Sequence, residues 1–315
     1  MNRRNFINRS AAILVAGSAI GRNMMAAAAT SPSMASTTTS LAASAAAQKR
    51  NKGRIGFQLY SIRQTLKDDF VGTLKKLSDI GYSAVETFGL FDDKFFGHTM
   101  KELDAIVKDM GMSISGGMYQ GWQMIPEDTN TPEWDNWKYC ISELKSVGAK
   151  WAVQASMPGV ELKNMDEVKR IAAHFNRVGE LCGKSGLKFA FHTHPQDLKM
   201  MGDVQIFEYL LKNTEPKLVS YQMDWGNIVN AGGDCVQYLR DYPGRFPLWH
   251  TTDFDVVTRK SAQAGKGSVP YPEMFNLAKS SRLEQLTVEL HVDAENLDVI
   301  KSTFDYFKQF KWTKV

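Results

Sequence analysis

After Lys52 the chain alternates, eight times over, between a short apolar run of β character and a segment with apolar residues at helical spacing. "RIGFQLYSI" is followed by "DDFVGTLKKLSDIG", "YSAVETFG" by "HTMKELDAIVKDMG", and "MSISGGMY" by "TPEWDNWKYCISELKSVG". "AKWAVQASM" precedes the long "NMDEVKRIAAHFNRVGELCGKSG", and the second half repeats the order from "LKFAFHTH" to the closing "ENLDVIKSTFDYFKQF". Most of the helical segments end on glycine or open on proline, the usual boundary residues. Short hydrophobic strands separated by helices require a parallel sheet, because a parallel pair needs a crossover that a hairpin turn cannot supply. Eight such units in one domain of this length predict an α/β fold of the closed (β/α)8 TIM-barrel type over residues 53–315. The rival, a doubly wound sheet, ordinarily carries a glycine-rich phosphate loop after its first strand. Here that strand runs into "QLYSIRQT".

Residues 1–52 do not share the pattern. Arg3-Arg4 precede Phe6-Ile7 and the short apolar run "AAILVAGSAIG", and an Ala/Ser/Thr tract follows. The run is too short for a stop-transfer span. It resembles a twin-arginine export signal, which predicts an exported, periplasmic protein with residues 1–52 as signal and linker. That route carries folded proteins, often with a cofactor installed. The net charge of +4 is small, and no basic run is interleaved with aromatics, so composition gives no case for nucleic acid. No other segment predicts stable membrane insertion. The three cysteines, Cys140, Cys182 and Cys235, are odd in number and lack Cys-x-x-Cys spacing, so they read as small buried apolar residues.

In a barrel of this type chemistry gathers at the C-terminal ends of the strands. In order, those ends carry Gln58 and Arg63, Glu86, the Gly116-Gly117 pair, Gln154, His192 and His194, Asp224, His250 with Asp253, and Glu289. Singly, each has an ordinary explanation: a carboxylate after a strand caps a helix, and a lone histidine is most often a satisfied core residue. Four consecutive strands ending in His, Asp, His and Glu exceed what capping explains. Imidazole with carboxylate suits a first-row divalent metal (Mn, Co, Zn, Ni or Fe) better than Mg or Ca.

The segments "IGFQLYSIR", "GYSAVETFG", "FHTHPQDL", "YQMDWGNIVNAGGD", "LWHTTDFD", "AGKGSVPYPEMF" and "VEL", in this order, resemble the xylose isomerase-like superfamily, often labelled sugar phosphate isomerase/epimerase. The resemblance implies one divalent metal held at the ends of strands five to eight, with His192, Asp224, His250 and Glu289 as ligands. Where the sugar 3-epimerases carry glutamate on strand five, this chain has His192, and it looks like the branch whose fifth strand ends His-x-His. Whether His192 or its neighbour His194 takes the metal stays open, because Pro195 follows directly. That branch commonly has lysine where this chain has Thr252.

The substitution bears on mechanism. Two-face epimerisation uses two carboxylates, and only Glu289 remains of that pair. One-sided proton abstraction next to a carbonyl is then expected, with Glu289, His194 and Glu86 as catalytic candidates. The resemblance implies a metal-dependent sugar isomerase or epimerase. The alternative is a lyase or dehydratase acting on a ketosugar, keto-glycoside or keto-inositol. Remoter rivals are a DNA-processing relative, disfavoured by charge balance, and a non-catalytic sugar-binding barrel. For substrate contacts the sequence offers Arg63 as a mouth cation, Trp122 and Trp225 as stacking rings, and Asp253. Trp151 reads as core. No phosphate-binding cluster is evident, so the expected partner is a small non-phosphorylated sugar.

Overall fold

The computed structural model describes residues 55–89, 94–119, 130–157 and 162–312. The expected leader, residues 1–52, and Trp122 lie outside the described residues. Eight strands close into one parallel barrel: β1 Ile55–Gln58, β2 Ala84–Phe88, β3 Ser113–Tyr119, β4 Trp151–Gln154, β5 Lys188–His192, β6 Val219–Asp224, β7 Leu248–His250 and β8 Gln285–Val288. Each strand pairs with the next in sequence, and β8 returns to β1 through Ile55 opposite Leu286 and Phe57 opposite Val288. Helices follow the strands: α1 Phe70–Ile80, α2 Met100–Asp109, α3 Pro132–Ser146, α4 Met165–Lys184, α5 Ile206–Asn213, α6 Cys235–Asp241, α7 Tyr271–Phe275 and α8 Leu297–Lys308.

Alternation along each strand decides what the barrel holds. On β5, Phe189 and Phe191 face the helices, where Phe191 packs 4.7 Å from Phe175 of α4. Ala190 points inward to join Trp151, Val153 and Leu248 in a dry layer. The same parity leaves His192 inward at the top. α4 shows the matching helical pattern: Val168, Ile171, Ala172, Phe175, Val178 and Cys182 are all buried on one stripe. The three cysteines are buried and unpaired, as expected. A Cβ on Gly116 would sit 2.7 Å from the Trp151 carbonyl oxygen, so the glycine lets β3 lie against β4. Gly148 ends α3 at φ +73, a left-handed conformation that glycine adopts without strain.

Four pieces were not expected from the sequence. A short helix, Arg63–Asp68, follows the turn after β1, and a second, Trp225–Asn230, begins directly after Asp224. Two antiparallel ribbons, Met200–Met201 with Val204–Gln205 and Asp253–Asp255 with Lys260–Ala262, rise from the loops after β5 and β7. Both follow the C-terminal ends of barrel strands, on the face where the candidate site lies. Among the described residues no helix is long and apolar enough to cross a membrane.

Candidate metal centre and active site

His192, Asp224 and His250 are the last residues of their strands, and Glu289 directly follows β8. Equal strand parity brings all four inward at one level. One ligand atom from each lies within 4.8 Å of the others, and all four residues are buried. Short bonds between strand ends hold this level. The Asp224 backbone N–H donates to Thr193 Oγ1 at 3.0 Å, and Asn227 Nδ2 donates to the Thr193 carbonyl at 3.2 Å. These join the ends of β5 and β6. Leu290 N donates to Ser61 Oγ at 2.9 Å and ties the end of β8 to the turn after β1.

Asp224 separates its two oxygens. Oδ1 accepts from Asn227 N at 2.8 Å, capping the Trp225–Asn230 helix, and also from the Thr252 hydroxyl. Oδ2 is buried, has no hydrogen-bond partner, and lies 3.9 Å from His192 Nε2. A buried carboxylate oxygen without a donor is costly unless a cation satisfies it. With two imidazoles and Glu289 facing the same point, the donor set fits one divalent transition metal. Thr252, standing where lysine is common in the resembling branch, is part of this support: its Oγ1 also accepts from Gly226 N at 3.0 Å.

The charges around this point are tightly linked. Burial opposes a charge on His250. Glu86 at 2.7 Å from Nε2 and Glu289 at 2.8 Å from Nδ1 outweigh it and raise the imidazole to about 10. Burial acts against the Glu289 carboxylate too, but its bonds to His250 and His291 hold it well below the usual range. Asp224 is raised to about 6 by burial and by the Glu289 charge. His192 is pushed down by burial, then by the neighbouring His250 and His194. A neutral His192 is the ligand form of imidazole.

The structure brings His192, not His194, into the group of four. His194 stands beside it, ring centroids 4.9 Å apart, with a buried Nδ1 that has no hydrogen-bond partner. Glu86 differs from its expected place as an acid/base. It lies beneath the cluster, 2% exposed, with Gln58, Gln222 and His250 all bonded to its carboxylate. Trp225, expected as a stacking ring, is instead fully buried, edge-on to Trp249 at 5.4 Å and to Phe246 at 6.2 Å, because it opens the helix that Asp224 caps and turns into the helix layer. Asp253 is not available to a substrate. Its Oδ1 accepts from Phe254 N and Val269 N, and its Oδ2 from Gly265 N and Gly267 N, so it anchors the loop after β7. Arg63 lies at the mouth, its guanidinium 4.2 Å over the Tyr60 ring and bonded to the Tyr60 carbonyl.

Sequence reasoning missed His291, two residues past Glu289, whose Nε2 is 3.7 Å from Glu289 Oε1. The i, i+2 rule that paired His192 with His194 would have found it in "VELH". It also missed the exposed Tyr60, whose ring meets Phe88 edge-on at 5.0 Å. These two residues lie two positions past Gln58 and Glu86, above the cluster's floor.

A family model for the xylose isomerase-like TIM barrel matches residues 74–310. Among solved structures, a sugar phosphate isomerase/epimerase from Parabacteroides distasonis ATCC 8503 is similar, with 26% identity and a TM-score of 0.72 over 82% of this chain and 94% of that one. An L-ribulose 3-epimerase shares the fold, with a TM-score of 0.63 at 13% identity over 81% of this chain and 93% of that one. An inosose dehydratase of Bacillus anthracis (strain CDC 684 / NRRL 3495) is 26% identical over 161 residues, 45% of this chain and 51% of that protein. The chain thus spans about half the length of that relative.

Proposed function

The chain belongs to the xylose isomerase-like TIM barrel family, and on that premise we propose that it is a metal-dependent enzyme acting on a non-phosphorylated sugar or polyol. The reaction removes a proton from the carbon next to a carbonyl. The observation that carries the reading is the group His192, Asp224, His250 and Glu289, with Asp224 Oδ2 buried and unpartnered at its centre. These four residues would hold the metal, which when bound supplies Lewis-acid polarisation of the substrate carbonyl. Glu289 is the base. Its Oε1 lies 3.7 Å from Nε2 of the accessible His291. His291 receives or returns the proton at Glu289 and links the buried site to solvent. Tyr60 and Phe88 offer the stacking surface expected of Trp122 and Trp225. Return of the proton to the former carbonyl carbon, with the hydroxyl proton passing between the two enediol oxygens, gives isomerisation.

A second reading is dehydration. After proton removal, a hydroxyl on the β-carbon leaves, and an imidazolium donates the proton that releases it as water. His291 beside Glu289, with His194 across the group, favours this reading, as does the likeness to inosose dehydratases.

Protein purified without chelator should contain about one divalent metal per chain, and Asp224→Ala and Glu289→Ala should each lower that content. Incubation with aldoses, ketoses and keto-inositols in D2O, followed by NMR, should show metal-dependent deuterium uptake next to a carbonyl or loss of water. Full metal content in both variants would refute the ligand assignment. A metal-loaded enzyme that exchanges and eliminates nothing would refute the activity.

A further inference from the structure

Just beneath the four candidate ligands a chain of hydrogen bonds runs across the barrel, and its direction is fixed at one end by the backbone. The Tyr60 N–H donates to Gln58 Oε1 at 3.1 Å. The Gln58 amide nitrogen must therefore face away from Tyr60, and it donates to Glu86 Oε2 at 2.7 Å. Its other close contact is Met118 Sδ at 2.9 Å, a weak acceptor that accepts the same orientation. Glu86 is acceptor-only when ionised. Its Oε1 takes a bond from Gln222 Nε2 at 2.7 Å, so Gln222 is oriented in turn, and its Oε1 faces His192 Nδ1 at 3.0 Å. A carbonyl oxygen accepts only, so the His192 proton sits on Nδ1. The lone pair is then on Nε2, the nitrogen that faces Asp224 Oδ2.

His250 is wired the other way round. Its Nε2 lies 2.7 Å from Glu86 Oε2, and its Nδ1 faces Glu289. Both imidazoles hold a proton on the side of Glu86, one directly and one through Gln222. They present opposite nitrogens to the same point.

We propose that Glu86 is a positioning residue that sets the tautomer of His192 through Gln222 and holds His250 directly by its Nε2–H, so that a metal would meet His192 through Nε2 and His250 through Nδ1. This rests on the metal-centre reading above but extends to residues outside the ligand set. It also accounts for three buried polar side chains, Gln58, Glu86 and Gln222, placed where an apolar barrel layer would otherwise stand.

The wiring predicts the effect of an isosteric swap. In Glu86→Gln, an amide nitrogen replaces Oε1 and meets the Gln222 amide nitrogen, donor against donor. Gln222 must turn over, its NH2 then faces His192 Nδ1, and the proton moves to Nε2, where it blocks the metal. Metal affinity should fall on the order of 10- to 100-fold, the usual cost of a lost outer-shell partner. Combining Glu86→Gln with Gln222→Glu restores every donor–acceptor pairing and the net charge. The amide at 86 accepts from Gln58 and His250 and donates to the carboxylate at 222, which accepts from His192. The double variant should regain most of the affinity and the wild-type tautomer, whereas Gln222→Glu alone, facing Glu86, should bind weakly.

The experiment is a double-variant cycle with two readouts. One is zinc affinity by competition with a chromophoric chelator. The other is long-range 1H–15N NMR of 15N-histidine protein without metal, which reads the protonated nitrogen of His192 directly. Rescue of both in the double variant supports the proposal. Wild-type tautomer and affinity in Glu86→Gln, or a double variant no better than the single one, would overturn it. If wild-type protein bound no zinc, the metal-centre reading would fail, while the metal-free NMR spectra would still decide the wiring.

Discussion

At Asp224 the two carboxylate oxygens have different fates, and at Glu289 the same division recurs. In each, one oxygen is held by protein donors: Asn227 N and Thr252 for Asp224, His250 for Glu289. The other is left toward the reaction space. Asp224 Oδ2 is sealed from solvent and suits a cation, whereas Glu289 Oε1 faces His291, which is 39% exposed at its side chain. The pairing with Glu289 is the main cause that raises His291 above the usual imidazole value. A base that must pass its proton on needs such a neighbour. His291→Asn should therefore lower kcat by roughly 10²- to 10⁴-fold, the range for loss of a general acid–base partner. Metal content, measured by elemental analysis, should stay at the wild-type level, since His291 is not one of the four candidate ligands. A fall in metal content equal to the fall in kcat would place His291 among the ligands instead.

At the scale of elements, the contact between α4 and β4 is closed by a buried hydrogen bond, His174 Nε2 to Gln154 Oε1 at 3.0 Å. Gln154 ends its strand, as Glu86 and His192 nearly or fully do, yet its parity turns it outward to the helix. Burial, then the charge of Arg177, lowers His174 to about 3 from 6.5. The folded state thus keeps this ring neutral where the unfolded chain protonates it. Stability is intact above pH 6.5 and falls as the pH drops through the window from 6.5 toward 3, amounting to about 2 kcal/mol by pH 5. His174→Gln, which keeps a polar partner for Gln154 but cannot titrate, should flatten that part of the curve in urea unfolding followed between pH 7 and pH 5. An unchanged slope would mean that His174 is hydrated or protonated in the folded chain.

The same elements show what a sequence makes legible. Alternation between strand and helix periods is a property of many residues at once, so the barrel was readable, and so were the four strand-end donors that parity aligns. Trp225 was misread because its orientation depends on a short helix that the sequence pattern did not announce, capped by Asp224 itself. Asp253 looked like a mouth residue because the backbone N–H groups it binds, from Gly265 to Val269, approach only when the loop after β7 folds back. Gln58 stood out only as a strand end, and Gln222 gave no signal. An amide inside an apolar strand acquires meaning only from the partner across the barrel, 136 residues away for Gln222 and Glu86.

For the whole molecule, charge is unevenly divided along the chain. Residues 1–52 carry seven Lys and Arg and no Asp or Glu, against a net charge of +4 for all 315 residues, so the remainder carries −3. The basic sequence pI of about 8.8 therefore belongs to the leader rather than to the barrel. The negative balance after residue 52 offers no net attraction to nucleic acid, and a cationic N-terminal segment with an Arg pair before a short apolar run resembles what export machinery recognises. On the metal-centre reading, an exported barrel would also have reason to fold before crossing a membrane, since the four candidate ligands come from four strand ends that exist together only in the closed fold. We accordingly propose export with removal of the leader. Cell fractionation should find the mature chain outside the cytoplasm, focusing below pH 7, while the unprocessed chain focuses near 8.8. Arg3→Lys combined with Arg4→Lys should leave only the basic, cytoplasmic form. A wild-type chain recovered from the cytoplasm at the basic position, with its N-terminus intact, would rule this out and would return the substrate question to cytoplasmic sugars, phosphorylated ones included.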